Sequence, residues 1–116
     1  MQNADILNHI NRAFAHINPN LYVTMQGPSE FVVVGDAKLK NWDIKEKLSA
    51  ISTPTLTIGG AYDTMDPKYM EWIASGVQNG HYLHCPNGSH LAMYDDADTY
   101  FKGLIQFIKS VDKKTE

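Results

Sequence analysis

The chain has 116 residues, 43% of them hydrophobic and 20% charged, with a net charge of −3 at neutral pH; this suits one globular domain and gives no basic footprint for nucleic acid. No apolar run approaches the roughly 20 residues that span a bilayer, and the opening MQNADILNHI lacks the cationic start and apolar stretch of a signal peptide. A single cysteine excludes an internal disulfide framework and fits a reducing cytoplasm.

Residues 4–17 repeat apolar side chains at helical spacing: Ile6, Ile10, Phe14 and Ile17, with Leu7 and Ala13 beside them. Asn3 or Asp5 supplies a cap, and Pro19 stops the helix. Over 20–35 the pattern reads as β: LYVTM, a Gly27-Pro28 turn, then FVVV ended by Gly35. Asp43 predicts a capped helix through Ile44, Leu48 and Ile51, with Glu46 as its capping-box acid. Pro54 precedes TLTIGG, a short apolar run that fits a buried parallel strand. Asp66-Pro67 supplies the N-cap and first position of a helix carrying Met70, Trp72 and Ile73 and ending near Gly76. HYLHC is the second strand. Asp96 or Asp98 starts the last helix, with Tyr100, Leu104, Phe107, Ile108 and Val111 on its apolar side. Lys109, Lys113 and Lys114 form a solvated end that suits the helix dipole.

Helix, strand, helix, strand, helix over the second half is the grammar of a parallel sheet. Two parallel strands by themselves leave unpaired edges. Further strands are therefore expected before residue 1, and without them the bare edge is expected to drive self-association.

Two islands carry the chemistry: GGAYDTMDP around Asp63 and CPNGSHLAMYDD around His90. Each follows a strand, and the acid precedes the histidine. That is the order of the last two members of the Ser…Asp…His triad in an α/β-hydrolase. Asp63 would accept the Nδ1 proton of the histidine and hold its tautomer, and His90 would be the general base. Taken singly, Asp63 is an ordinary turn aspartate and His90 a surface histidine; together, in this order, they point to a hydrolase. No GxSxG elbow occurs in the sequence. Ser89, in NGSHL, lacks the second glycine and adjoins the base, so it is read as a decoy. His81, His84 and Cys85 do not predict a metal site, because alternation sends the two histidines to opposite strand faces and no second Cys/His pair completes a zinc set. Cys85 is read as a small buried side chain, and Trp42 and Trp72 as packing residues. Glu30, in QGPSEF, is either a solvated loop carboxylate or a counter-charge for a cationic substrate group.

Taken together, VTMQGPSEF, LKNWDI, PTLTIGGAYDTMDP and CPNGSHLAMYDD resemble the C-terminal region of proline iminopeptidases (prolyl aminopeptidases), from about Ile10 to Val111. The resemblance implies the α/β class: a C-terminal fragment of an α/β-hydrolase, with about two parallel strands and flanking helices. Residues 1–40 would be the end of a helical cap and residues 41–116 the C-terminal part of the core. It implies Asp63 as catalytic acid, His90 as catalytic base, and Glu30 as the glutamate that binds the substrate's free N-terminal amine. In some relatives a second acid directly follows the catalytic aspartate; here that position is Thr64, which leaves amine recognition to Glu30, helped by Asp66. The implied reaction releases N-terminal proline, or another N-terminal residue, from a peptide through an acyl-enzyme, with no cofactor or metal. The nucleophile and oxyanion hole would come from a preceding segment, so this chain alone is expected to be inactive. Two alternatives stand beside this reading. One is another α/β-hydrolase, such as an amino-acid amidase or esterase, distinguished by whether a free amine is required. The other is an inactive truncated product that acts as an assembly module.

Overall fold

The computed structural model describes residues 3–30 and 33–115. The chain divides into two compact units, Met1–Ile44 and Lys45–Glu116.

The first unit contains α1 (Asn3–Phe14) and α2 (Pro19–Gln26). Asn18 caps α2, its side-chain oxygen accepting from the backbone N–H groups of Asn20 and Leu21 at 3.1 Å each. Pro19 sits at the first helical position, where its missing N–H costs nothing. Pro19 thus opens a helix, and LYVTM lies within α2 rather than in a strand. A strong cap and a proline at the start outweigh the β preference of so short a run. Thr24 adapts by donating its hydroxyl back to the Asn20 carbonyl at 2.8 Å. Of the expected FVVV strand, Phe31 and Val32 lie outside the described residues, and Val33 and Val34 are irregular. Gly27 leaves α2 in the left-handed region, φ 73°. The chain then returns so that Lys38 and Leu39 donate backbone N–H groups to the Thr24 and Met25 carbonyls, at 3.0 and 2.9 Å. These bonds satisfy acceptors that the end of a helix leaves open.

The second unit opens with a 3-10 helix, Lys45–Ala50. This replaces the expected α-helix through Ile51, because a segment of six residues closed off by Pro54 is short enough for the tighter winding. Next come β1 (Thr55–Gly60), α3 (Pro67–Gly76) and β2 (Gly80–Cys85). The strands pair in parallel, from Thr55 opposite Gly80 to Gly60 opposite Cys85, in a two-stranded sheet. Asp66 caps α3 by accepting from Lys68 N–H at 2.9 Å, with Pro67 inside the first turn. Thr57 fastens α3 to β1 through a 2.8 Å bond from its hydroxyl to the Met70 carbonyl. The short α4 (Ala92–Asp95) was not visible in the sequence pattern; α5 (Ala97–Thr115) follows it. Tyr100, Leu104, Phe107 and Val111 are half-buried along α5, but Ile108 is 48% exposed. Ile108 directly follows Phe107, so the helical pitch turns it about 100° away from that stripe. Leu48, Ala74, Val77, Cys85 and Ala92 form a core of mostly small side chains.

Neither tryptophan is a core residue. Trp42, next to Asn41 in the left-handed region, is 64% exposed. Trp72 is also exposed and stacks on the exposed ring of Tyr69 with centroids 5.3 Å apart. Among the described residues, no helix is long and apolar enough to cross a membrane.

Candidate active site

Because β1 and β2 run in parallel, both deliver their following loops to the same sheet end. The two loops are joined by backbone bonds. Ala61 N–H donates to the Cys85 carbonyl at 3.0 Å, and Tyr62 N–H to the Gly88 carbonyl at 2.9 Å. Glycine is needed at this crossing: a Cβ on Gly60 would lie 2.5 Å from the Gly88 oxygen and 2.6 Å from that of Ser89. A Cβ on Gly88 would lie 2.8 Å from the Cβ atoms of Ala92 and Cys85.

The crossing brings Asp63 and His90 together. His90 Nδ1 lies 3.1 Å from Asp63 Oδ1 and 3.3 Å from Oδ2. Met65 N–H also donates to Oδ1 at 2.9 Å, which fixes the carboxylate from the other side. The Asp63 side chain is only 10% exposed, whereas that of His90 is 64% exposed. A covered carboxylate accepting at Nδ1 selects the tautomer with its proton there and leaves Nε2 as the basic nitrogen. Chemically, the pair can take a proton from a hydroxyl and return it to a leaving group.

Ser89 is committed elsewhere. Its hydroxyl bonds the Asp95 carboxylate, which also accepts from Ser89 N–H at 3.0 Å. Asp96, one of the two acids expected at the start of the last helix, directly precedes α5; it is buried and turns its carboxylate to the Asn87 N–H at 3.0 Å. Sequence reasoning did not find this bracing of the histidine loop; the only signal was the acid pair in MYDD. Burial first, and then the nearby Asp96 and Asp95 carboxylates, push the Cys85 thiol above its usual range. That makes it an inert packing group. His81 packs its ring against Phe107 at 5.5 Å, and His84 Nδ1 lies 3.0 Å from the Tyr82 hydroxyl. Among the described residues, no group of three or more His, Cys, Asp or Glu is arranged to hold a metal.

Glu30 belongs to the first unit. Its carboxylate accepts from the Tyr22 hydroxyl at 2.8 Å, and the same oxygen of Tyr22 accepts from Glu30 N–H at 3.1 Å. Tyr22 was also missed from sequence, where LYVTM read as a strand; on α2 it faces the turn that carries Glu30. Its phenol is held above the ordinary range, chiefly by donating to the Glu30 carboxylate.

The chain is similar to proline iminopeptidases. It is 56% identical over 106 residues to that of Elizabethkingia meningoseptica, covering 91% of this chain and 36% of the relative. It is 54% identical over 103 residues to that of Flavobacterium johnsoniae, covering 89% and 34%. With that of Thermoplasma volcanium it shares 39% identity over 90 residues, covering 78% and 30%. No family model matches the chain. The chain spans about a third of the length of the curated relatives it matches, and it matches their C-terminal parts. With a parallel strand–helix–strand unit of the expected kind, it belongs to the proline iminopeptidase family of α/β-hydrolases as a C-terminal portion of it.

Proposed function

We propose that the chain supplies the proton-handling half of a serine aminopeptidase that releases N-terminal proline, or another N-terminal residue, from peptides. The observation that carries this is the approach of His90 Nδ1 to Asp63 at 3.1 Å where the two parallel strands end. His90 takes the proton of a serine as it attacks the scissile carbonyl, then returns it to the departing amine. Asp63 orients the ring and stabilises the imidazolium that forms. The serine and the oxyanion hole come from a segment outside these 116 residues, so the chain by itself is inactive. Glu30, held by Tyr22, meets the free ammonium of the substrate. Residues 1–40 are the end of a helical cap, and residues 41–116 belong to the hydrolase core. The single thiol fits a reducing, cytoplasmic setting.

The test joins this chain behind the N-terminal two-thirds of the Elizabethkingia relative. The chimera is expected to cleave a proline arylamide and to take up a fluorophosphonate probe on the donated serine, while this chain alone takes up none. A stoichiometric adduct on Ser89 of the chain alone would overturn the reading. An amidase or esterase reading gains if the chimera cleaves N-acylated substrates as well as free amines. The two-stranded sheet also leaves strand edges that recruit other strands. The chain alone is therefore expected to self-associate in analytical ultracentrifugation, and a monomer that persists on concentration would remove the assembly reading.

A further inference from the structure

We infer that Asp95 is a positioning residue for His90, acting through Ser89. The inference rests on the triad reading above and names what aims its base. His90 lies in a loop, and its ring is largely exposed, so ring packing does not fix its direction. Its two chain neighbours are fixed instead, both through one carboxylate. Before it, Ser89 N–H donates to Asp95 Oδ1 at 3.0 Å, and the Ser89 hydroxyl donates to the same carboxylate. After it, Leu91 N–H donates to the Ser89 hydroxyl oxygen at 3.1 Å. The circuit closes through α4, where Asp95 N–H and Tyr94 N–H donate to the Leu91 carbonyl at 3.2 and 2.8 Å.

Hydrogen bonds to a charged group are the stronger kind, and these clamp the backbone on either side of the histidine. On the other flank, Asp96 holds Asn87 N–H, and Tyr62 N–H holds the Gly88 carbonyl. The backbone from Asn87 to Leu91 is thereby set, and with it the direction in which His90 leaves the chain. This also gives Ser89 a reason to stand beside the base: its hydroxyl relays the Asp95 clamp to Leu91.

The experiment reads the His90 ring directly, in this chain, by long-range proton–nitrogen NMR, with the signal assigned by its loss in His90→Gln. In the unsubstituted chain the Nδ1–H tautomer should dominate, and Asp63→Asn should abolish that dominance. Asp95→Ala should shift the tautomer ratio about three- to tenfold toward Nε2–H, the size of one ordinary net hydrogen bond, because the clamp acts on the ring only through the backbone. The amide shifts of β1 and β2 should stay in place. Asp95→Asn, which keeps an acceptor for Ser89 N–H and the shape of the side chain, should fall between and covers the case in which the alanine variant loses its fold. If Asp63→Asn changes the His90 signal and neither Asp95 variant does, the positioning role is overturned while the triad reading stands. If Asp63→Asn leaves the signal unchanged, the triad reading fails and takes this inference with it.

Discussion

The two units are held together by different forces. In Lys45–Glu116, a parallel strand pair is covered by α3 and α5, and among the described residues the buried hydrophobic side chains other than Ala37 lie there. In Met1–Ile44, Leu7, Phe14, Leu21, Val23 and Trp42 are each more than half exposed, and order comes from caps and backbone bonds: Asn18 on α2, and Lys38 and Leu39 returning to its end. Burial stabilises in proportion to area and tolerates little change of shape. A cap contributes about 1 kcal/mol and tolerates its neighbours changing. The proposed catalytic pair sits in the packed unit, where positions are tightly set, and the proposed amine site in the hydrogen-bonded one.

The sharpest break of that comparison is at Asp63. In the chimeric enzyme, Asp63→Asn should lower kcat on the order of a thousandfold or more, because an amide presents the wrong partner to Nδ1 and disturbs the tautomer of His90. A proline arylamide and an N-acylated ester should suffer alike. Loss on one substrate alone would make Asp63 a recognition residue and not an orienting one.

Next in size is a contrast between two glycines. A Cβ on Gly80 would lie 1.8 Å from the Ala74 carbonyl oxygen, so Gly80→Ala forces strand and helix apart. It should cost about 3 kcal/mol or more, the upper range for overpacking a filled site. Gly35→Ala meets nothing within 4 Å and pays only for a φ of 67°, about 1–2 kcal/mol. Amide exchange read separately in each unit should show the first change emptying protection from β1 and β2 and the second leaving them intact. Equal effects in both units would mean that packing does not distinguish them.

The same division explains what could be read from the sequence. TLTIGG, Asp66-Pro67 and HYLHC were legible because a buried first strand, short β-forming runs bounded by turn residues, and a proline-aided cap leave local marks. Asp63 and His90 were legible as residues for the same reason, since each follows such a strand; their 3.1 Å approach was not, because it depends on the glycine crossing at Gly60 and Gly88. LYVTM failed because five apolar and β-branched residues look alike in a strand and in a capped helix of exposed surface; the Asn18 cap and Pro19 at the first helical position decide. Asp95 and Asp96 were invisible as braces, since an acid pair before a helix carries the same pattern as an N-cap.

At Glu30 the expected effect is smaller and selective. A carboxylate facing a substrate ammonium contributes on the order of 1.5–3 kcal/mol. Glu30→Gln in the chimera should therefore cut kcat/KM for a proline arylamide roughly ten- to a hundredfold, at about 1.4 kcal/mol per factor of ten. It should barely change an N-acylated ester, which has no ammonium to lose. The glutamine still has an oxygen to accept from Tyr22, so the turn should survive and the loss should report the charge. Equal losses on both substrates would make Glu30 structural.

The smallest effect separates the charge of Glu30 from its aim. Tyr22 grips that residue twice, donating to its carboxylate and accepting from its N–H. Tyr22→Phe keeps the ring and the carboxylate but removes both bonds. The turn is exposed, so water replaces much of what is lost, and the cost should be about three- to fivefold in kcat/KM for the proline arylamide. It should fall mainly on KM, because a less fixed carboxylate binds the ammonium less well in ground state and transition state together. The same bond should be visible in the chain alone. Donation to Glu30 raises the Tyr22 phenol above its usual range, so the folded unit binds that proton more tightly than the unfolded chain. The resulting stabilisation is fully present below the ordinary tyrosine value of about 10 and is lost as pH rises through the higher folded value. The Tyr82 phenol is also raised, chiefly by burial, so an ultraviolet titration of tyrosinate should show more than one late-ionising group, of which one disappears in Tyr22→Phe and moves earlier in Glu30→Gln. If that group stays late in Glu30→Gln, the carboxylate charge is not what holds it, and the activity loss at Glu30 must be credited to the shape of the turn.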